Sequence, residues 1–190
     1  FSTAIELALS PVLPRHRTLG ACHFGSFHAA MESAQHIVTL APVGVELVDR
    51  TMIELAHEIA IFRPTLEAFL RGEPEALLLV EFAEHDAATN RRRLKELAAL
   101  MGDLGFGWDR TGARFGGVVE ITDPALQGAI NQLRTAGLNI MMSMKEEGKP
   151  ISFVEDCAVP LEHLADYTER LTSVFERHGT RGTWYAHAGS

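Results

Sequence analysis

The run Ala76-Leu77-Leu78-Leu79-Val80-Glu81-Phe82 constrains this chain most. It is apolar at nearly every position, short, and bounded by Pro74 and by polar residues. Periodicity alone does not separate strand from helix in such a run, but its length and its boundaries select a central strand. The rest of the sequence supplies the elements to pack around it.

Upstream, residues 3–9 alternate with Ile5, Leu7 and Leu9 on one face, a half-buried strand ended by Ser10-Pro11. Residues 17–24 form a second strand, with Cys22 and Phe24 towards its end. Ser26 caps a helix that carries Phe27, Ala30, Met31, Ala34, Ile37 and Val38 at helical spacing, and Pro42 breaks it. Val43 to Val48 is a short strand. Thr51-Met52-Ile53-Glu54 reads as a capping box, starting a helix with Leu55, Ala56 and Ile59 inward. Residues 61–75, with Pro64, Gly72 and Pro74, read as irregular and as a seam between two halves.

Downstream, Asp86 caps a helix with Leu94, Leu97, Ala98 and Met101 inside. Residues 102–112 are loop and 115–121 a strand. Asp123-Pro124 is a cap followed by proline at the first helical position, where a missing N–H costs nothing. Leu126, Ile130 and Leu133 face the core, and Gly137 is the C′ residue. Lys149 to Pro160 reads as a buried strand over 151–155, two adjacent carboxylates, and a proline that opens a helix. That helix turns Leu161, Leu164, Thr168, Leu171, Val174 and Phe175 inward and ends at Gly179. The last strand is Thr183-Trp184-Tyr185-Ala186-His187. The sum is an α+β architecture: a largely antiparallel sheet with helices on one face, built from ferredoxin-like units.

The 190 residues suit one domain or two small lobes. A formal net charge of −8 argues against a nucleic-acid partner. The one basic run, Arg91-Arg92-Arg93, reads as a solvated helix face. Cys22 and Cys157 lie far apart and read as thiols of a reducing, cytoplasmic compartment rather than a disulfide framework. No apolar run approaches the ~20 residues that cross a bilayer. Both ends read as cut, so the chain is expected to be a piece of something longer.

Phosphate loops, G-x-G-x-x-G, H-E-x-x-H, C-x-x-C and G-x-S-x-G are missing from the sequence. Glu155 and Asp156 are adjacent, so on a strand they point to opposite faces and do not form one acid–base pair. A helix cap is the simpler reading of one of them. Arg134 is either a solvated arginine or an anchor whose fork matches a carboxylate. His187 is either a structural strand-end histidine or a metal ligand that needs partners from elsewhere. The other histidines show no ligand spacing.

The stretches Leu133-Arg134-Thr135-Ala136-Gly137-Leu138, Met142-Ser143-Met144 and Lys149 to Pro160 resemble the C-terminal domain of FAD-linked oxidases. The resemblance is to the D-lactate dehydrogenase and glycolate oxidase D-subunit type, and among these to large members fused to an iron–sulfur domain. Gly44-Val45-Glu46-Leu47-Val48-Asp49-Arg50 is similar to that family's segment at the start of the cap domain. Trp184-Tyr185-Ala186-His187-Ala188-Gly189-Ser190 is similar to the opening of its H-x-x-x-G-x-L-H stretch.

The resemblance implies a cap and substrate domain, residues 1–190, working with an FAD-binding domain of the same polypeptide. It implies oxidation of a 2-hydroxy acid by hydride transfer to FAD. Arg134 would hold the substrate carboxylate, and His187 would be catalytic and the first ligand of a divalent metal. The full-length parent would be cytoplasmic or membrane-peripheral, with an iron–sulfur cluster, and the piece alone inactive. Val154 and Leu138 stand where relatives carry a substrate-binding lysine and a hydroxyl group, which leaves the acid open. The alternative is a stand-alone ferredoxin-like module for small-molecule binding or regulation.

Overall fold

The computed structural model describes residues 12, 14, 16–137, 154 and 157–189. The expected strand at 3–9 and the carboxylates Glu155 and Asp156 lie outside the described residues, as does the expected strand at 151–155 apart from Val154, which is exposed.

The apolar run is a central strand. It lies in β3 (Ala76–Glu84), which pairs antiparallel with β1 (His16–Phe24) on one side and β2 (Gly44–Asp49) on the other. β4 (Gly116–Ile121) lies outside β1, and β5 (Tyr185–Gly189) lies outside β2. The order is β4-β1-β3-β2-β5, every pairing antiparallel. The first four strands follow the ferredoxin-like pattern, in which β1 and β3 occupy the middle.

Each strand alternates between two cores, because successive side chains point to opposite faces. Cys22, Phe24, Val45, Leu47, Leu78, Val80 and Phe82 enter the first. There α1 (Phe27–Ile37), α4 (Ala87–Asp103) and α6 (Leu164–Arg177) cover them. Ala21, Leu77, Leu79 and Ile121 enter the second, under α2 (Arg50–Glu58), α3 (Arg63–Phe69) and α5 (Pro124–Thr135). The two helices of the ferredoxin-like unit, α1 and α4, share one face as expected. The helices beyond that unit extend the cover to the second face, since β1 and β3 are apolar on both sides and would otherwise expose Leu77 and Leu79.

Several local expectations are corrected. Residue Asp49, not Thr51, caps α2: its Oδ1 accepts the Met52 N–H at 2.9 Å. The helix therefore begins at Arg50, and Glu54 pairs one turn back with Arg50 at 2.6 Å instead of closing a box. The segment 61–75 is not irregular throughout. It holds α3, where Pro64 takes an early position that needs no N–H and Leu66 and Phe69 are buried. The strands on either side of this segment join in one sheet.

Gly137 does follow the C-cap Ala136, but without a left-handed φ. A Cβ there would come within 3.1 Å of Met52 Cε, a tight contact with the end of a flexible side chain. Ala98 and Val174, expected inside, are exposed. Other expectations hold. Ser26, Asp86 and Asp123 cap their helices through side-chain oxygens, and Gly179 follows α6 with φ 66°. Arg93 pairs with Glu84 and Glu96 along a solvated face. No described helix is long and apolar enough to cross a membrane.

Candidate functional site

Glu46 sits between Val45 and Leu47, both in the first core, so strand alternation turns it to the opposite face. Its cross-strand partners are Leu79 on β3 and His187 on β5. Ala188 enters the first core, which places His187 and Tyr185 with Glu46 on the second face. Arg134 reaches the same place from the last turn of α5.

These three side chains meet at one atom. Glu46 Oε1 lies 2.9 Å from Arg134 Nη2 and 2.9 Å from His187 Nδ1. The two residues singled out in the sequence are thus brought together by a third. The Glu46 side chain is only 17% exposed, Arg134 29% and His187 54%. A carboxylate this covered needs hydrogen-bond donors, and the guanidinium and the imidazole supply them.

Arg134 keeps donors to spare. Its Nε is buried and finds no partner among the described residues. Beside it lies a small cavity of about 20 Å³, lined by Met52, Leu66, Leu133, Arg134 and Tyr185. That is room for about one water.

Asp49, three residues further along β2, holds the approach to β5. Its Oδ2 accepts the Thr183 hydroxyl at 2.8 Å and the Trp184 N–H at 2.8 Å, while Oδ1 caps α2. Burial pushes its carboxyl above the usual range, against the pull of these hydrogen bonds. One acidic side chain therefore fixes both the start of α2 and the entry of the strand that carries His187.

His23 is fully buried and separate from this cluster. Its Nδ1 lies 2.9 Å from the Ala21 carbonyl, and its Nε2 accepts the Arg71 N–H at 3.1 Å. Burial pushes its pKa down to about 4, so the ring is neutral. It is a satisfied core histidine.

Glu46 and Asp49 were not singled out by sequence reasoning. The available signal was a pair of carboxylates three apart in an otherwise apolar strand, Val45-Glu46-Leu47-Val48-Asp49. An acid on an inward face that is not obviously solvated asks for a partner.

For a metal at His187, the fit is partial. A carboxylate at Nδ1 is the arrangement that orients a metal-binding histidine through Nε2. Among the described residues, no group of three possible ligands includes it. They bring three possible ligands within 4.8 Å of one another at His28, Asp166 and Glu169, all exposed, on the helices of the other face.

A ferredoxin-like sheet covered on both faces, with a partly buried ionic cluster between an edge strand and a helix end, defines this as an α+β domain with a polar site at its rim. The chain belongs to the FAD-linked oxidases, as their C-terminal domain: that family's profile matches residues 13–190. Among curated proteins it is similar to the D-2-hydroxyglutarate dehydrogenase of Pantoea ananatis, 30% identical over 194 residues, covering 98% of this chain and 18% of that protein. The enzymes of the same name from Escherichia coli and Haemophilus influenzae are 28% and 27% identical, over 92% and 93% of this chain and 17% of each relative. The chain thus spans under a fifth of the length of these relatives.

Proposed function

We propose that this chain is the cap and substrate-binding domain of a flavin-dependent dehydrogenase that oxidises a D-2-hydroxy acid. The observation that carries the reading is the meeting of Arg134 and His187 at one carboxylate oxygen. Two 2.9 Å contacts to a single atom set Nη2 and Nδ1 no more than about 6 Å apart. In a 2-hydroxy acid the carboxylate and the hydroxyl sit on neighbouring carbons. An arginine and a histidine this close can address both groups of one small molecule.

Arg134 binds the carboxylate through the donors that Glu46 leaves open. His187, through Nε2, receives the hydroxyl proton or holds a divalent cation that polarises the hydroxyl. When bound, FAD supplies the acceptor for the hydride, so this chain's share is orientation and proton handling. FAD is held mainly by another domain of the same polypeptide, and the full-length parent carries an iron–sulfur domain. It works in the cytoplasm or at the membrane surface. The relatives' names make 2-hydroxyglutarate the first acid to test, ahead of D-lactate and glycolate.

The test is anaerobic bleaching of the flavin in the full-length protein by a panel of D-2-hydroxy acids and of alcohols that lack a carboxylate. A 2-hydroxy acid should bleach it, and Arg134→Lys should raise the KM by about 100-fold, the loss of a bidentate ion pair. Bleaching by plain alcohols alone, or an Arg134→Lys enzyme with unchanged KM, would overturn the reading.

A further inference from the structure

We infer that Glu46 is the positioning residue of this site: it sets which nitrogen of His187 faces the substrate and aims the guanidinium of Arg134. The inference rests on the functional reading above and deepens it.

A carboxylate accepts hydrogen bonds and does not donate them. The hydrogen in the 2.9 Å contact between Glu46 Oε1 and His187 Nδ1 therefore belongs to the imidazole. In the neutral ring this leaves the lone pair on Nε2, the nitrogen that Glu46 does not touch. With Nδ1 bound to the protein, Nε2 is the atom left to take a proton or a cation. The partner of a histidine's other nitrogen fixes both its tautomer and its ring orientation.

The same oxygen takes one N–H from Arg134 Nη2. A guanidinium has five donors in one plane, so fixing one prong fixes the direction of the others. Arginine and histidine thus share a single reference point. That point sits on β2, inside the sheet, where the backbone is paired on both sides by β3 and β5. It is also the most covered of the three side chains. A rigid, covered acid between a guanidinium and an imidazole, both more exposed than itself, is placed to orient them.

The test uses the full-length, flavin-loaded protein with E46Q, E46D, R134K and H187N, and with the doubles E46Q/R134K and E46Q/H187N. One readout is the dissociation constant of oxalate, read from the flavin spectrum; oxalate has no hydrogen on carbon to give up, so turnover plays no part. The other is kcat and KM on the acid that bleaches the flavin. Expected for E46Q is about 10-fold weaker oxalate binding and about 10- to 100-fold lower kcat, the range seen when a histidine's orienting partner is lost. E46D should recover part of both.

In the doubles the E46Q effect should largely vanish, on oxalate binding with R134K and on kcat with H187N, because Glu46 acts through those residues. Losses that multiply in the doubles, or E46Q identical to wild type in both readouts, would overturn the role of Glu46. Should E46Q lower the melting temperature or the flavin content, E46D and its two doubles carry the same comparison, with the same outcomes deciding. Losses in R134K and H187N with none at Glu46 sink only this inference. Both variants behaving as wild type would sink the reading of the site with it.

Discussion

The backbone N–H of Trp184 donates to Asp49 Oδ2 at 2.8 Å, across 135 positions of sequence. The Thr183 hydroxyl donates to the same oxygen, and the Met52 N–H to its partner oxygen. The last strand of the sheet is thereby tied to the start of a helix from the first third of the chain.

Replacing Asp49 with alanine removes both acceptor oxygens and leaves three donors unmet at a site that is 5% exposed. Unmet buried donors and a lost helix cap together cost about 2–4 kcal/mol. Urea unfolding of Asp49→Ala should show that loss, while Asp49→Asn, which keeps an oxygen for the cap, should lose less.

His23 makes stability depend on pH. Its pKa is pushed down to about 4 from an ordinary 6.5, so between those values the unfolded chain binds a proton that the folded chain refuses. The sign follows: this contribution is whole above 6.5 and is lost as pH falls through 4. The span corresponds to about 3 kcal/mol. Comparing unfolding free energy at pH 7 and pH 4 in wild type and His23→Gln should show a steeper decline in the wild type.

Two glycines should differ sharply on conversion to alanine. A Cβ at Gly20 meets the Leu97 Cδ2 methyl at 2.5 Å, the far end of a side chain that can yield. A Cβ at Gly25 meets the backbone carbonyl of Gly112, which cannot. Gly20→Ala should cost about 1–3 kcal/mol. Gly25→Ala should cost more, and it should also break the hydrogen bond from its N–H to Phe115 O. Thermal melts of the two variants rank them.

The Arg93–Glu84 contact, at 2.9 Å, should matter little. Both side chains are about a quarter exposed, and pairs at the surface contribute on the order of 0–1 kcal/mol. Glu84→Gln should shift the melting temperature only slightly, and less again at high salt.

The sheet was legible because its signals are local. The apolar run at 76–82 read as a central strand, and Ser26, Asp86, Asp123 and Gly179 marked helix ends by their own chemistry. The segment 61–75 misleads because Pro64 reads as a breaker where it serves the first turn of α3. The cap at Asp49 was missed because Thr51-Met52-Ile53-Glu54 offers a competing pattern two residues later. Second-face cover by α2, α3 and α5 is a tertiary fact that no single helix declares.

At the site, Arg134 and His187 were reached through family resemblance, and spacing alone left both open. Glu46 is 88 positions from Arg134 and 141 from His187, so their meeting follows from strand pairing and from the angle of α5. Sequence distance carries no trace of it. An acid inside an apolar strand was the only local hint.

The pairing of β5 with β2 has a further consequence. The ladder shifts by one residue between Val45 and Glu46, and past that offset His187 stands opposite Glu46. Its flanking residues on β5 are Ala186 and Ala188. Slide that strand by a single rung and the pleat inverts, presenting a methyl group where the imidazole had been. Chemistry at this rim is thus a matter of phase: the rung on which β5 settles decides whether Glu46 faces a base or inert carbon.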